Sequence, residues 1–325
     1  GGRRMMAWGS GLAALGCLIL SFATEPWIYV AGWLVLGPAM RLILDDAAFP
    51  ALAQVAREKS RRAISYLTLF GGLASTVFWP VSHFLSQGIG WRYTFLVYAL
   101  LHLALCLPLH LLVLTRNDKQ QSVSRQDMPQ PPGAPVLTGT DRSRAMIIFA
   151  TVLALNTVVF SSISAHVVPL FEGLGFTAAA AVTLAALIGP SQVASRIGDI
   201  LAGHWVKTMT LGLIAVGLLP VALVIFAAGQ FALWAALVFA LFYGMSNGLM
   251  SIIKGIIPLS LFGHQGYGLV IGTLTTPQLI LNAVAPTLFA VVLDHAGPRD
   301  GLIVALFFAF ASFAAMIHLA RKYPR

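Results

Sequence analysis

The sequence predicts an all-α protein that crosses a membrane many times. Of its 325 residues, 58% are hydrophobic and only 10% are charged, whereas a soluble domain carries about 25% charged residues. The apolar residues form ten segments of roughly 20 residues each, the length that a helix needs to cross a hydrocarbon layer of ~30 Å. The segments show no polar–apolar alternation, so transmembrane β-strands are excluded.

The predicted spans follow one another closely, separated by breaks rich in turn-forming residues such as ATEP, QGIG and DHAGPRD. Four spans precede one long polar segment, and six follow it. In chain order they lie at 5–23, 27–49, 63–85, 92–114, 145–168, 177–195, 208–228, 231–253, 267–292 and 301–320.

The long polar segment covers residues 115–144 and is rich in Pro, Gln, Ser and charge. Such a composition is typical of a flexible linker. We therefore predict a partial N-terminal helical half at 1–114, a cytoplasmic linker at 115–144 and a C-terminal half of six helices at 145–325.

The formal charge of +9 sets the orientation and indicates no nucleic-acid partner. Successive breaks between spans lie on alternate sides of the membrane. Nearly all Lys and Arg residues lie at the breaks on one side, and the breaks on the other side contain only Arg92 and Arg299. This is the positive-inside pattern. It predicts an integral protein of the bacterial cytoplasmic membrane with both chain ends in the cytoplasm. Cys17 and Cys106 fall within spans and are expected to be free thiols.

An internal repeat relates the two halves. Pro50 is followed by Pro80 and then by a Gly-Trp-Arg turn, while Pro258 is followed by Pro286 and then by a Gly-Pro-Arg turn. In this register the second half contains two helices that have no counterpart in the first. We therefore expect two helices to be missing before residue 1, and we expect the chain as given to insert into a membrane without transporting.

The order of several short motifs resembles the major facilitator superfamily, whose members have twelve helices in two halves of six. The segment Gly2-Arg3-Arg4 is similar to the end of the family's loop between helices 2 and 3, and Arg41 stands where the family has its helix 4 arginine. Trp79-Pro80 and Gly90-Trp91-Arg92 resemble the helix 5 motif and the turn into helix 6.

The resemblance implies that the chain represents helices 3 to 12 of a secondary transporter that works by alternating access. It is loosely similar to monocarboxylate porters. The segment that begins at Ser195 departs from the family's second loop motif, because it retains only Arg196, Gly198 and Asp199.

Arg41 is the leading candidate for substrate binding. At 1.5 Å per residue it lies ~21 Å from Trp27, whereas Asp45 and Asp46 lie nearer the cytoplasmic face. Asp45 is four residues from Arg41 and is its expected partner, while Asp46 should point roughly 140° away. Two interpretations remain open. In the first, Arg41 faces a water-filled pathway and binds an anion. In the second, the pair of Arg41 and Asp45 is a local structural contact at the membrane–water interface.

Other polar residues near mid-depth are candidates for hydrogen bonding to a substrate. Thr275, Gln278 and Asn282 share one helix face, and Asn156 and Trp79 lie near the middle of other spans. The alternative for each is packing between helices.

A second group of charged residues is a candidate cytoplasmic gate. Arg3 and Arg4 lie at the cytoplasmic start of the chain. Arg196 and Asp199 lie at the inner end of the span at 177–195 and are expected to pair, which would latch this side of the protein.

No motif for covalent chemistry, metal binding or a phosphate-binding loop is present, so we expect no enzyme, no cofactor and no metal. The expected function is secondary transport of a small organic anion such as a carboxylate, with a coupling proton or other ion. The alternative is a receptor or scaffold that does not transport, or an inactive fragment of a carrier.

The orientation can be tested with single cysteines placed in a background that lacks the two native ones. Cysteine at Ser143 should be shielded from an impermeant thiol reagent added from outside, because the linker is predicted to be cytoplasmic. Cysteines at Glu172 and Asp294 should be labelled. Labelling of the Ser143 position from outside would contradict the predicted orientation.

Overall fold

The computed structural model describes residues 2–56, 59–112, 136–202 and 205–324, without the side chains of residues 75, 76, 79 and 80. Of the residues that it describes, 91% are helical and none lies in a strand. The predicted all-α helical bundle is therefore confirmed. Most of the predicted linker, residues 115–135, lies outside the described residues, but its last residues from Gly139 onward are helical.

The helices group into two compact units, made of residues 1–60 with 73–135 and of residues 61–72 with 136–325. The helices up to residue 112 are α1 (Gly2–Ser21), α2 (Pro26–Ile43), α3 (Asp45–Ala56), α4 (Ser60–Leu101) and α5 (Leu107–Leu112), with a π-helical turn (His102–Cys106) before α5. The later helices are α6 (Gly139–Gly173), α7 (Ala178–Ala202), α8 (Thr208–Ala228), α9 (Leu233–Phe262), α10 (Tyr267–Ala296) and α11 (Pro298–Lys322).

Nine helical stretches within the described residues are long and apolar enough to cross a membrane. The predicted span at 63–85 forms the first part of α4, and Val81–Leu112 is one of the nine stretches. Gly90 interrupts α4 with φ 83° and ψ 159°, a conformation that glycine adopts without steric cost. The predicted boundary between the spans at 63–85 and 92–114 is thus found at this glycine.

The first unit packs α1 against α2 and against the last turns of α4. Ala13, Cys17 and Leu20 of α1 contact Leu36 and Ala39 of α2 in one buried cluster. Ser10 of α1 also forms a 2.8 Å hydrogen bond with Nδ1 of His110 in α5. Small residues on α1 and α2 allow the two backbones to approach closely, as is usual between membrane helices.

The second unit has a core rich in aromatic side chains. Phe171 of α6, Phe226 of α8 and both Phe239 and Tyr243 of α9 are fully buried. The ring centroids of the contacting pairs lie 5.1–6.1 Å apart, within the range where aromatic pairs attract one another. This cluster joins α6, α8 and α9 at one end of the unit.

Two glycines of α9 bring its backbone against α7. A Cβ atom at Gly244 would lie 2.5 Å from the carbonyl oxygen of Ile188, and one at Gly248 would lie 2.5 Å from that of Gln192. Backbone atoms cannot move aside as the end of a side chain can. The segment from Gly244 to Gly248 is therefore a close-packing motif between α7 and α9.

Substitution of Gly248 should accordingly be costly. Gly248→Ala is expected to lower the free energy of unfolding by about 1–3 kcal/mol, because the added methyl overpacks the α7–α9 contact. Thermal unfolding in detergent measures the change. Gly272→Ala is the matched control, since a Cβ at Gly272 meets no described atom within 4 Å. Equal stability of both variants would contradict the close-packing assignment.

Candidate functional site

Polar side chains collect at three places within the helices. The helix-break pair consists of Arg41 and Asp46 in the first unit. The hydroxyl–amide stripe and the buried aspartate cluster both lie in the second unit. The stripe contains Thr157, Ser161, Ser164 and Gln278, and the cluster contains Arg61, Ser65 and Asp199.

The helix-break pair lies where α2 ends and α3 begins. Leu44 has φ −86° and ψ −162°, an extended conformation that separates the two helices. Arg41 therefore lies in the last turn of α2, and Asp46 lies in the first turn of α3. A cation at a helix C-terminus and an anion at a helix N-terminus are each stabilised by the helix dipole.

The partner of Arg41 differs from the expected one. Nη1 of Arg41 donates a 2.7 Å hydrogen bond to Oδ2 of Asp46, whereas the sequence predicted a pair with Asp45. That prediction assumed one continuous helix over 27–49. The break at Leu44 turns α3 relative to α2, so the ideal helical spacing no longer applies.

The two charges of this pair differ in exposure. The side chain of Arg41 is 48% exposed and that of Asp46 is 13% exposed. Within the described residues, Nη1 is the one guanidinium nitrogen of Arg41 that makes a hydrogen bond. The carboxylate is thus shielded, while most N–H groups of the guanidinium remain available to another partner.

The hydroxyl–amide stripe joins α6 and α10. Nε2 of Gln278 donates to Oγ1 of Thr157 at 3.1 Å, and Ser161 and Ser164 continue the same face of α6 at helical spacing. Ser164 also forms a 2.9 Å hydrogen bond with the buried hydroxyl of Tyr243. The stripe offers hydroxyl and amide groups but contains no charged side chain.

The other predicted hydrogen-bonding residues have different surroundings. Asn156 is buried and donates through Nδ2 to Ser312 of α11 and to the carbonyl oxygen of Val152, so it lies in the contact between α6 and α11. Thr275 is buried and donates to Ile271 in its own helix, whereas Asn282 is exposed. The side chain of Trp79 lies outside the described part of the chain.

The buried aspartate cluster connects α7 to the first turns of α4. Asp199 is 6% exposed, and its Oδ2 accepts a 2.6 Å hydrogen bond from Ser65. Its Oδ1 lies 3.6 Å from Nη2 of Arg61. Arg61 also donates through Nη1 to the carbonyl oxygen of Val206 at 2.9 Å. One guanidinium therefore contacts both α7 and the segment that follows it.

The expected pair between Arg196 and Asp199 is not the one that forms. Arg196 is 7% exposed and points from α7 toward α9, where Nη2 donates to Ser251 at 3.2 Å and Nε to the carbonyl oxygen of Gly248 at 3.5 Å. Asp199, three residues further along α7, instead accepts its hydrogen bond from Ser65 of α4. Neighbouring positions on one helix thus serve two separate contacts.

The remaining gate candidates, Arg3 and Arg4, lie in the first turn of α1. Arg3 is partly buried and Arg4 is exposed. Among the described residues no group of three or more His, Cys, Asp or Glu side chains is placed to hold a metal ion.

Sequence reasoning missed Arg61, Ser65 and Thr157 as members of these sites. The spacing of Thr157, Ser161 and Ser164 on one helix face was a usable signal. Arg61 appeared in the sequence as one of many basic residues near a break, and nothing local marks it as the partner of a carboxylate 138 positions away.

Removal of the buried carboxylate of Asp199 should destabilise the protein more than removal of the hydroxyl group of Ser65. Asp199→Ala is expected to cost roughly 3 kcal/mol, because it leaves Arg61 without its counter-charge, while Ser65→Ala should cost about 1 kcal/mol. In a double-mutant cycle, Arg61→Ala combined with Asp199→Ala should cost less than the sum of both. Arg62→Ala, at an exposed neighbour, is the control. Additive losses would contradict direct coupling.

Solved structures share this fold at low sequence identity. The human organic anion transporter MFSD10 (TETRAN) aligns with a TM-score of 0.77 at 15% identity, over 97% of this chain and 77% of that one. The fucose:proton symporter FucP from E. coli aligns at 0.63 and 16% identity, over 100% and 84%. The proton:xylose symporter XylE aligns at 0.66 and 12%, over 99% and 80%.

No curated protein matches the chain in sequence. The sequence profile of the Major Facilitator Superfamily matches residues 1–276, which is most of the chain. Members of this family are transporters and not enzymes, and their helices cross the membrane. The chain therefore belongs to the Major Facilitator Superfamily and is an integral membrane protein of the secondary transporter class.

Proposed function

We propose that this protein transports a small organic anion, such as a carboxylate, by alternating access, in which one binding site opens to each side of the membrane in turn. The observation that carries the proposal is the guanidinium of Arg41. It is half-exposed within an apolar helix, and it uses one of its nitrogens for the bond to Asp46.

The geometry of a guanidinium suits this role. Its planar array of N–H groups can bind a carboxylate through two parallel hydrogen bonds. Because Asp46 is held in the first turn of α3, it fixes the orientation of Arg41 without enclosing it. An ionisable group in a membrane helix usually faces a protein cavity or water, which favours a pathway position for Arg41 over a lipid-facing one.

The hydroxyl–amide stripe supplies a second kind of contact. Thr157, Ser161 and Gln278 of the second unit offer donors and acceptors without charge, which fits hydroxyl or carbonyl groups of a small solute. Asn282 and Asn156 remain candidates for this role, although Asn156 is buried against α11. Trp79 and Asp45 also remain candidates.

The similar structures support this proposal without deciding it. MFSD10 is an organic anion transporter, and FucP and XylE are proton symporters for sugars. A proton gradient is accordingly the proposed driving force. We further propose the bacterial cytoplasmic membrane as the location, with both chain ends in the cytoplasm, since the basic residues follow the positive-inside pattern.

The buried aspartate cluster is proposed to act in gating on the cytoplasmic side, together with Arg196, Arg3 and Arg4. Asp199 joins segments that are 134 residues apart through its bond to Ser65. A contact of this kind stabilises one arrangement of the helices, and its rupture allows another.

Uptake by proteoliposomes tests the role of Arg41, with a protein expressed from the gene including its upstream coding region, because the 325-residue chain alone is expected to insert without transporting. Arg41→Ala should abolish the accumulation of radiolabelled monocarboxylates, whereas Arg41→Lys should retain part of it, because the charge remains but the bidentate fork is lost. The measurement is the initial rate of uptake with and without an imposed proton gradient.

Asp46→Asn is the matched control for the helix-break pair. It keeps an oxygen that can accept the bond from Arg41 but removes the opposing charge, so transport should persist with a lower KM for the anion. Loss of folding in both Arg41→Ala and Asp46→Asn, with normal uptake by Arg41→Lys, would favour a purely structural pair. Binding of the anion without flux would favour a receptor.

A further inference from the structure

Basic side chains converge at one end of the second unit, where α6 begins and α11 ends. Arg142 and Arg144 lie in the first turns of α6, and Arg321 and Lys322 lie in the last turn of α11. We call these four residues the α6–α11 basic cluster. The two helices pack against each other, so the four cations share one part of the surface.

A tyrosine fixes the two helix ends to each other. Tyr323, the residue after α11, is 7% exposed, and its hydroxyl donates to Asp141 at the carbonyl oxygen (3.3 Å) and at Oδ1 (3.1 Å). Burial and the hydrogen bond with the Asp141 carboxylate raise the pKa of Tyr323, so the phenol stays protonated and can act as the donor. The helix ends that carry the cations are therefore joined by this tyrosine.

The four cations of the cluster form no ion pair with the described residues. Within the described residues the two salt bridges are those of Arg41 and Arg61, and the carboxylate of Asp141 is engaged by a phenol. Arg142 lies over the ring of Phe262 at 5.3 Å, and Lys322 lies over that of Tyr323 at 5.7 Å. A cation over a ring face is positioned but keeps N–H groups free at its edge.

An exposed apolar side chain on a membrane-spanning helix lies beside the cluster. Ile147 lies three residues after Arg144 on the same face of α6 and is 67% exposed, and α6 is one of the candidate membrane spans. A ligand bound here would meet cations at one end and an apolar helix surface at the other. This combination matches an amphiphile with an anionic head and hydrocarbon chains.

We propose that the α6–α11 basic cluster binds the phosphate-containing headgroup of an anionic phospholipid, with its acyl chains along α6. The general excess of basic residues on one side of a membrane protein accounts for their sign. It does not account for cations on two helix ends that are joined by the bond between Tyr323 and Asp141, two of which, Arg142 and Lys322, lie over aromatic rings. Basic pockets between membrane helices are known to take anionic lipid heads.

Lipid binding can be measured on the purified full chain in nanodiscs. The matrix is phosphatidylcholine with increasing amounts of phosphatidylglycerol, and native mass spectrometry counts the phosphatidylglycerol molecules that remain bound. The triple variant Arg142→Gln, Arg144→Gln, Lys322→Gln should lower the affinity for phosphatidylglycerol by roughly tenfold or more, since each cation contributes to the attraction.

A second triple variant separates a specific site from diffuse attraction. Lys59→Gln, Arg62→Gln, Lys207→Gln removes the same number of charges at exposed positions outside the cluster and should change the affinity by less than about twofold. Equal weakening by both triples, or no weakening by the first, would overturn the proposal.

Tyr323→Phe tests the geometry without a change in charge. Loss of the bond to Asp141 should loosen the junction and weaken phosphatidylglycerol binding, while the melting temperature in pure phosphatidylcholine serves as the folding control. An unchanged affinity would contradict the role of the junction. Competition by inorganic phosphate or glycerol phosphate as strong as that by the lipid would show a site for a soluble anion and would also overturn the proposal.

Discussion

Hydrocarbon provides no hydrogen-bond partner, so every polar group that a membrane helix carries must find one inside the protein or reach the interface. This constraint explains the helical content of the chain, because helices satisfy their own backbones. It also explains why the polar side chains within the described residues bond mostly to the backbone of the same helix. Thr157 and Thr275 donate to carbonyl groups three or four residues earlier. The few side chains that bond to another helix mark positions where a polar group has a role in helix contacts or in function.

The same constraint divides the charged residues into two kinds. Asp199 is enclosed, with a hydroxyl and a guanidinium as neighbours, and an enclosed carboxylate that lost its partners would be strongly unfavourable. Arg41 is half-exposed and has a single protein partner. A buried charge between helices stabilises their contact, whereas a half-exposed charge with a single partner can exchange that partner for a ligand at a smaller cost. Burial and partner number therefore separate the two proposed roles, gating for Asp199 and binding for Arg41, more clearly than the residue type does.

Properties that depend on local sequence were predictable. Segment length and apolarity locate the spans, and Gly90 marks a helix boundary because its conformation is one that other residues avoid. The break at Leu44 carries no such mark, since leucine favours helices, and the prediction of Asp45 as the partner of Arg41 failed for that reason. The partner of Asp199 also depends on the approach of segments that are far apart in the chain. Helical spacing between Arg196 and Asp199 suggested a local pair, but side chains three residues apart on one helix can serve different neighbours.

The charges at helix ends show how one pattern can serve several purposes. Basic residues near the breaks orient the chain in the membrane, and that task depends on their number and side and not on their exact contacts. The individual contacts therefore remain free for other uses. Arg61 lies 3.6 Å from a carboxylate and donates to a backbone carbonyl, Arg92 donates to the carbonyl oxygen of Ala23, and Arg142 packs over an aromatic ring. Any of these contacts is compatible with the orientation of the chain in the membrane. The contact that each arginine makes therefore indicates a second role for that arginine.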